Sequence, residues 1–335
     1  MKKVLLSGVK PTGRPHIGNY FGAMKQMVDL QNTHPDAEKF FMIADYHGLN
    51  FIQNGEEMRQ NILDLALDYL AIGLDPQKAS IFKQSDVSAH TELAWIFDTI
   101  TTMPYLMRAH AFKAAIEKYT DSTPAQRSLS SKLEQLPEIG VGTFNYPMLM
   151  AADILLYDAT HVPVGQDQKQ HIEYARDTAE KFNRIFGEAF VLPESLILKD
   201  VAVVPGTDGQ KMSKSYGNTI PLFATDEEIK KSVMSIVTDS SAGMPKNVYE
   251  IHKLFRPQAE LDALYSEKAG KYKDLKEALI ADISAFIKPL REKREQLAKN
   301  KEAVLAVLKA GGEKARAKAG AKMEVVREKI GVKLY

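Results

Sequence analysis

Residues 4–19 read VLLSGVKPTGRPHIGN, and the loop they enter decides the fold. Val4-Leu5-Leu6 is a short apolar run of the kind that forms a strand buried on both faces, and a buried first strand fits it better than an export signal. Lys10 to Asn19 then holds two prolines, two glycines and a histidine, where an α/β protein usually begins its first phosphate loop. Two familiar loops are excluded. The dinucleotide fingerprint GxGxxG is absent. Gly8 to Gly13 has the glycine spacing of a P-loop, but Arg14 and Pro15 stand where Lys and Ser/Thr belong. A P-loop converges backbone N–H groups on phosphate, and Pro15 has none to give. Pro11 and Pro15 instead stiffen the loop, Gly13 permits a tight turn, and Ile17 anchors the helix that follows. Gly18 keeps the start of that helix bare, at the end that favours anions. His16 and Asn19 share one face of a turn and can both donate to phosphate oxygens; a loop histidine with a helix-capping asparagine explains the pair equally well.

Further along, apolar runs and helical patterns alternate. Phe40 to Ala44 is a continuous apolar run; Glu56 to Ile72 repeats Met58, Ile62, Leu65, Tyr69 and Ile72 at helical spacing and stops at Gly73. Ser80-Ile81-Phe82 and His161–Val164 read as further strands, and Gln168 to Phe186 as a helix. This rhythm predicts an α/β fold: a Rossmann-like parallel sheet with crossover helices, over residues 1–220. Beyond 220 strand signals stop. Glu227–Val237, Leu261–Tyr265, Tyr272–Phe286, Pro289–Asn300 and Glu302–Leu308 read as separate helices. Lys309-Ala-Gly-Gly-Glu313 reads as a break before a last Ala- and Lys-rich helix. Residues 221–335 are therefore expected to form an all-helical domain, whose last helix could pack back on the first domain.

Composition sets limits. The chain has 335 residues and no cysteine, which excludes disulfides and thiolate metal sites and fits a cytoplasmic enzyme. No stretch approaches the roughly 20 apolar residues of a membrane span. The net charge of +1 hides an asymmetry: 21 Lys and Arg face 26 Asp and Glu up to residue 220, and 23 face 17 after it. A basic helical end on an acidic α/β body fits contact with a polyanion; a solvated Lys/Glu helical surface fits it too.

A second segment bears on the first. Lys211-Met-Ser-Lys-Ser215 lies in a glycine-rich stretch, after Pro205–Gln210 and before Gly217. Two lysines bracket a Met-Ser pair, so one mobile loop can bring two cations and two hydroxyls to a leaving pyrophosphate.

The PxGxxHIGN and KMSKS pair resembles the two signatures of class I aminoacyl-tRNA synthetases. The resemblance narrows to the bacterial tryptophanyl members and covers essentially the whole chain. It is densest over Asn145-Tyr-Pro-Met-Leu-Met-Ala-Ala-Asp-Ile-Leu-Leu-Tyr157 and Val162-Pro-Val-Gly-Gln-Asp-Gln-Lys-Gln-His171, with Leu6-Ser7-Gly8 and Thr238-Asp-Ser240 as further matches. It implies a Rossmann-like catalytic domain, a helical anticodon-binding domain and a homodimer. It implies ATP and Mg2+ (carried by ATP, with no protein metal site), L-tryptophan and tRNA(Trp) as partners.

Residue by residue, the resemblance makes His16, Asn19, Lys211 and Lys214 the catalytic set. ATP is expected at Lys10, Pro11, Thr12, Gly18, Asn19, Gly165, Gln166, Asp167, Val203, Lys211, Met212, Ser213, Lys214 and Ser215. Tryptophan is expected at Leu6, His47, Tyr146, Met150, Asp153 and Gln168. Asp153 is the residue expected to choose the amino acid: among apolar neighbours its carboxylate needs a partner, and indole N–H is a donor only. Tyr146 and Gln168 match residues that hold the ammonium group. A carboxylate pairing with a lysine, a core methionine and a structural His47 are the plainer readings.

The chain departs from the common pattern at Lys10, Gln166, Asp45-Tyr46-His47, the Arg108–Lys113 stretch and Ala115. These changes bear on how magnesium and the γ-phosphate are handled, with Lys10 or Lys118 available to compensate. A tyrosyl enzyme, a small nucleotidyltransferase and a non-catalytic relative are the rival functions.

Overall fold

The computed structural model describes residues 2–120, 139–164, 169–197, 204–238 and 244–335. Five parallel strands form one sheet: β1 Val4–Val9, β2 Glu38–Ile43, β3 Ser80–Lys83, β4 His161–Val164 and β5 Glu194–Ile197, in the order β3-β2-β1-β4-β5. The chain steps outward from β1 to β3, then returns to the opposite side of β1. That reversal between β1 and β4 is a topological switch point, and open α/β sheets bind ligands at the carboxyl ends of their strands at such a point. The Lys10–Asn19 loop leaves β1 at this edge.

The central strands are apolar throughout because both sheet faces are covered. Phe41 and Ile43 join a core with Ile17, Met24, the Gly55–Ala71 helix and the helices after residue 220. Phe40 and Met42 join another with the Ala89–Ile100, Val141–Leu155 and Lys169–Phe186 helices. Side chains alternate across a strand, so consecutive phenylalanines serve opposite faces. The fifth strand, ESLI, went unpredicted: it lies at the sheet edge, with Glu194 exposed and Ser195 and Leu196 only half-buried.

Two breaks expected in the helical part do not occur. Tyr272–Ala298 is a single helix that continues through Pro289. An interior proline costs about 3 kcal/mol, offset here by a fully buried stripe of Leu275, Leu279, Ile283 and Ile287. Lys301–Lys329 is likewise one helix, running straight through Gly311 and Gly312. A Cβ on Gly311 would lie 1.9 Å from the Ile81 carbonyl oxygen. The glycines thus let the helix rest on the backbone of β3, covering an edge strand that would otherwise present open hydrogen-bonding groups. Lower down, Ala315, Ala319, Met323 and Val326 bury into the second core, and Arg327 pairs with Glu92 at 2.6 Å.

Candidate active site

The first loop is ordered by its own histidine. His16 caps the short helical turn Ile17–Asn19: Asn19 N–H donates to His16 Nδ1 (3.2 Å) and His16 N–H donates to Asn19 Oδ1 (3.1 Å). The capping reading of this pair is therefore true, with the histidine as the cap. It also sets the chemistry. Nδ1 is an acceptor, so the proton sits on Nε2, and the remaining polar atoms, Nε2–H and the Asn19 amide nitrogen, are donors only. Burial, and after it the charge of Lys214, lowers His16 to about 4, so the ring is neutral at neutral pH. The space above Gly18 is filled: a Cβ there would meet His16 Nδ1 at 2.9 Å and Met212 Cβ at 3.3 Å. Gly18 is required because the histidine folds back over it and the second loop packs on top.

A five-residue π-helix, Tyr20–Met24, follows the cap, a wide turn often found beside functional sites. Tyr20 and Phe21 pack against Phe286 of the Tyr272–Ala298 helix.

The second loop docks on the first. Lys214 Nζ donates to the carbonyls of Thr12 (2.9 Å) and Gly13 (2.8 Å). Ile17 N–H bonds Ile220 O at 3.0 Å and Leu222 N–H bonds Pro15 O at 2.9 Å, lacing the loops with backbone as well. Met212 is buried, and the Ser213 and Ser215 hydroxyls lie 2.9 Å apart. Lys211 is exposed in the same loop. The organiser is Asn218, which sequence reasoning missed. Its Oδ1 accepts from Ser213 N–H (2.7 Å), and its Nδ2 donates to Asp208 Oδ1 (2.7 Å) and the Lys211 carbonyl (3.2 Å). Its hydrogen bond to Asp208 holds that carboxyl below its ordinary pKa.

Beside these loops sits a buried polar cluster around Asp153, on the Val141–Leu155 helix. Its Oδ1 accepts from Gln84 Nε2 (2.7 Å) and lies 2.6 Å from His90 Nδ1; its Oδ2 meets His47 Nε2 at 2.8 Å. Tyr157 hydroxyl contacts His90 Nε2 at 2.9 Å. Burial pushes the Asp153 carboxyl up, but the charges of His90 and His47 and their hydrogen bonds pull it further down, to about 2. The turns after β2 and β3 deliver these partners together: Ser85 N–H and hydroxyl both bond Asp45, at 2.9 and 2.5 Å, clamping the His47 turn to the Gln84 turn. Gln84 and His90 carry no motif spacing that would have marked them, and Tyr157, though it ends the Asn145–Tyr157 stretch, carried no expected role.

Tyr146 lies with its ring 4.6 Å from that of His47, and burial followed by the Asp153 charge raises its hydroxyl to about 12. Lys10 Nζ is 4.6 Å from the Phe51 ring centre and 5.8 Å from that of Tyr146, so it bridges the first loop and the Asp153 cluster. Pro11 is buried, and a Cβ on Gly48 would lie 3.4 Å from its Cδ, so the bare glycine lets the first loop pack on the His47 turn. Leu6 is buried in the core and Met150 is half-buried one turn before Asp153. Gly165, Gln166, Asp167, Gln168, Val203, Asp239 and Ser240 lie outside the described residues, as does the side chain of Lys118. Among the described residues, no three His, Asp or Glu side chains are grouped to hold a metal ion.

The sheet's switch point thus carries two cation- and amide-bearing loops docked on each other, with a buried carboxylate cluster beside them. Comparison with known proteins fixes the class: the family of class I tRNA synthetases (W and Y) matches residues 2–306, and the chain belongs to it. Within it, the chain is 47% identical over 336 residues to the tryptophan–tRNA ligase of Fusobacterium nucleatum, spanning 98% of this chain and 97% of that one. It is 44% identical over 338 residues to that of Rhodopirellula baltica, spanning 98% and 99%. The tryptophanyl-tRNA synthetase of Campylobacter jejuni complexed with ADP and tryptophan superimposes with a TM-score of 0.83 at 42% identity, over 98% and 99% of the two chains.

Proposed function

We propose that this chain is a tryptophan–tRNA ligase: it activates tryptophan with ATP and passes the aminoacyl group to tRNA(Trp). The observation that carries the reading is the docking of Lys214 on the loop capped by His16, which brings two distant signatures to one place. The tryptophan–tRNA ligases it resembles match over nearly the full length, which favours tryptophan over tyrosine.

In the first step the tryptophan carboxylate attacks the α-phosphorus of ATP in line, the bond to the β-phosphate oxygen breaks, and pyrophosphate leaves. No protein nucleophile is needed. His16 Nε2–H and the Asn19 amide donate to phosphate oxygens, and neutral His16 does so without giving up a proton. Lys214 exchanges two carbonyl acceptors for the departing pyrophosphate, whose charge grows as the bond breaks, and Lys211 adds a second cation. Lys10, Thr12, Met212, Ser213 and Ser215 line the same nucleotide. Gly165, Gln166, Asp167 and Val203 complete the nucleotide side in this reading. Mg2+ carried by ATP would share the phosphate charge.

Asp153 accepts the indole N–H. A carboxylate offers about four lone-pair positions; Gln84 and His90 meet Oδ1 and His47 meets Oδ2, which leaves one on Oδ2 for the substrate. An acceptor built for indole penalises side chains that lack the donor. Tyr146 and Gln168 hold the ammonium group, while Met150, Leu6 and His47 wall the ring. In the second step the terminal ribose 2′-hydroxyl of the tRNA attacks the carbonyl carbon of the tryptophanyl-adenylate, the bond to the phosphate oxygen breaks, and AMP leaves as the hydroxyl proton is released, with the basic helices after residue 220 against the tRNA. The enzyme works as a homodimer in the cytoplasm; no helix among the described residues is long and apolar enough to cross a membrane.

Amino-acid-dependent ATP–pyrophosphate exchange tests this, run with tryptophan and tyrosine side by side. Exchange with tryptophan alone is the expected result. Exchange with tyrosine but not tryptophan would overturn the assignment, and exchange with neither would favour a non-catalytic relative.

A further inference from the structure

Two adjacent glycines weaken a helix interior, so Gly311 and Gly312 within the Lys301–Lys329 helix call for a compensating contact. Gly311 rests on β3. Gly312 faces the short 3-10 turn Gln84–Asp86 that follows β3: a Cβ there would lie 3.1 Å from both Cβ and Oδ2 of Asp86. One turn further along the helix, Arg316 Nη1 donates to the Asp86 carbonyl at 2.9 Å. The helix thus holds Asp86 by side chain and backbone at once.

The turn it holds moves as a unit. Asp86 Oδ1 pairs with Lys83 Nζ at 2.7 Å and Oδ2 accepts from Lys83 N–H at 3.4 Å, closing the turn on itself. Ser85 is tied to Asp45 through its N–H and its hydroxyl. Between Lys83 and Ser85 lies Gln84, fully buried, whose Oε1 accepts from His47 N–H (3.4 Å) and whose Nε2 donates to Asp153 Oδ1 (2.7 Å). A displacement of Asp86 is therefore carried to Gln84.

The direction of the Asp153 carboxylate is set from outside. The terminal torsion of an aspartate is broad, so the side chain alone does not fix the plane of its oxygens. Gln84 and His90 on Oδ1 and His47 on Oδ2 fix it, and with it the lone pair left for a substrate donor. Hydrogen bonds weaken steeply when they lose alignment. A small shift of Gln84 thus costs the indole contact, while the loops of His16 and Lys214 stay docked on each other.

We propose that Gly312 and Arg316 are positioning residues for tryptophan recognition: the C-terminal helix seats the Gln84 turn and, through Gln84, fixes the direction in which Asp153 meets the indole N–H. This rests on the functional reading above. It gives the Gly-Gly pair of the last helix a part in amino-acid choice.

The test is ATP–pyrophosphate exchange in the full chain, with tryptophan and with 3-(3-benzothienyl)alanine, in which sulfur replaces the indole N–H. Arg316→Met should raise the tryptophan KM about three- to tenfold and hold the ATP KM within about twofold. The kcat/KM preference for tryptophan over the benzothienyl analogue should fall by a similar factor. Gly312→Ala should do the same by crowding Asp86, and Arg316→Lys, still a donor, should recover most of the loss. Lys318→Met, which removes an ion pair between the same helix and Glu38, should leave the preference unchanged. Gln84→Met should lower the preference by itself, and Arg316→Met should add little to it, because both act on one contact. The inference is overturned if folded Arg316→Met and Gly312→Ala keep the preference of the unmutated enzyme, or if ATP KM rises in parallel. It is also overturned if Lys318→Met has the same effect, or if the Gln84 and Arg316 effects add in full. Should Gly312→Ala or Gln84→Met fail to fold, Arg316→Met, a change at an exposed side chain, decides alone. Absence of exchange with tryptophan, or no preference over the analogue, in the unmutated chain refutes the functional reading and this inference with it. A preference that ignores these variants refutes the inference alone.

Discussion

Replacing Asp153 with asparagine keeps the shape of the side chain and removes its charge. The carboxylate is 4% exposed and lies 2.6–2.8 Å from His90, Gln84 and His47. An asparagine must turn its NH2 toward one side. It then faces either the Gln84 amide N–H or the His47 ring N–H, a donor against a donor. The pKa of Asp153 gives the scale: depressed from 3.8 to about 2, it corresponds to about 2 kcal/mol of native-state preference for the ionised form. That stability is present above about pH 4 and lost as pH falls toward 2, because only the unfolded chain binds the proton in that window. At pH 7, Asp153→Asn should therefore lower unfolding stability by about 2–4 kcal/mol, the upper end including the unpaired donor. Tryptophan KM should rise about 10- to 100-fold while ATP KM stays close to that of the unmutated enzyme. Urea unfolding at pH 7 and at pH 3, with exchange kinetics at pH 7, measures all of this. A variant with unchanged unfolding midpoint and unchanged tryptophan KM would refute the reasoning.

Other outcomes follow from the same structure. Lys214→Ala should depress the exchange rate far more than tryptophan affinity, since its charge matters most as pyrophosphate departs; a change in tryptophan affinity alone would count against that role. Asn218→Ala removes three hydrogen bonds that shape the second loop and should raise ATP KM with tryptophan KM unmoved, measured by the same exchange assay. His16 has its folded pKa lowered to about 4 from 6.5, so its share of stability is present above pH 6.5 and lost as pH falls toward 4. His16→Asn, which retains a capping side chain, should lack that acid-side slope in unfolding experiments. Gly311→Ala places a methyl 1.9 Å from the Ile81 carbonyl and should destabilise by about 3 kcal/mol or more, read from the thermal unfolding curve.

The sheet was legible where strands are buried on both faces, because an apolar run such as Phe40 to Ala44 has no other economical home. The edge strand at Glu194–Ile197 opens on an exposed glutamate and a serine before the short run Leu196-Ile197-Leu198, and it stayed hidden. Proline 289 and the Gly311-Gly312 pair misled for one reason: local propensity says stop, and tertiary packing overrides it. Buried apolar stripes carry one helix through its proline, and close approach to β3 explains the glycines of the other. At the site, the loops were visible as unusual residue types at fixed spacing. Their supports were not. Asn218, Gln84 and His90 are ordinary polar residues whose importance comes from where the fold brings them.

The central claim is that two distant loops close on one nucleotide beside a carboxylate that reads indole. A crystal structure of the chain with tryptophan and a non-hydrolysable ATP analogue tests it most directly. The account predicts Lys214 Nζ moved from the Thr12 and Gly13 carbonyls onto the phosphate chain, and the indole nitrogen within hydrogen-bonding distance of Asp153 Oδ2. Lys214 still seated on those carbonyls with the phosphates elsewhere, or an indole ring turned away from Asp153, would contradict it.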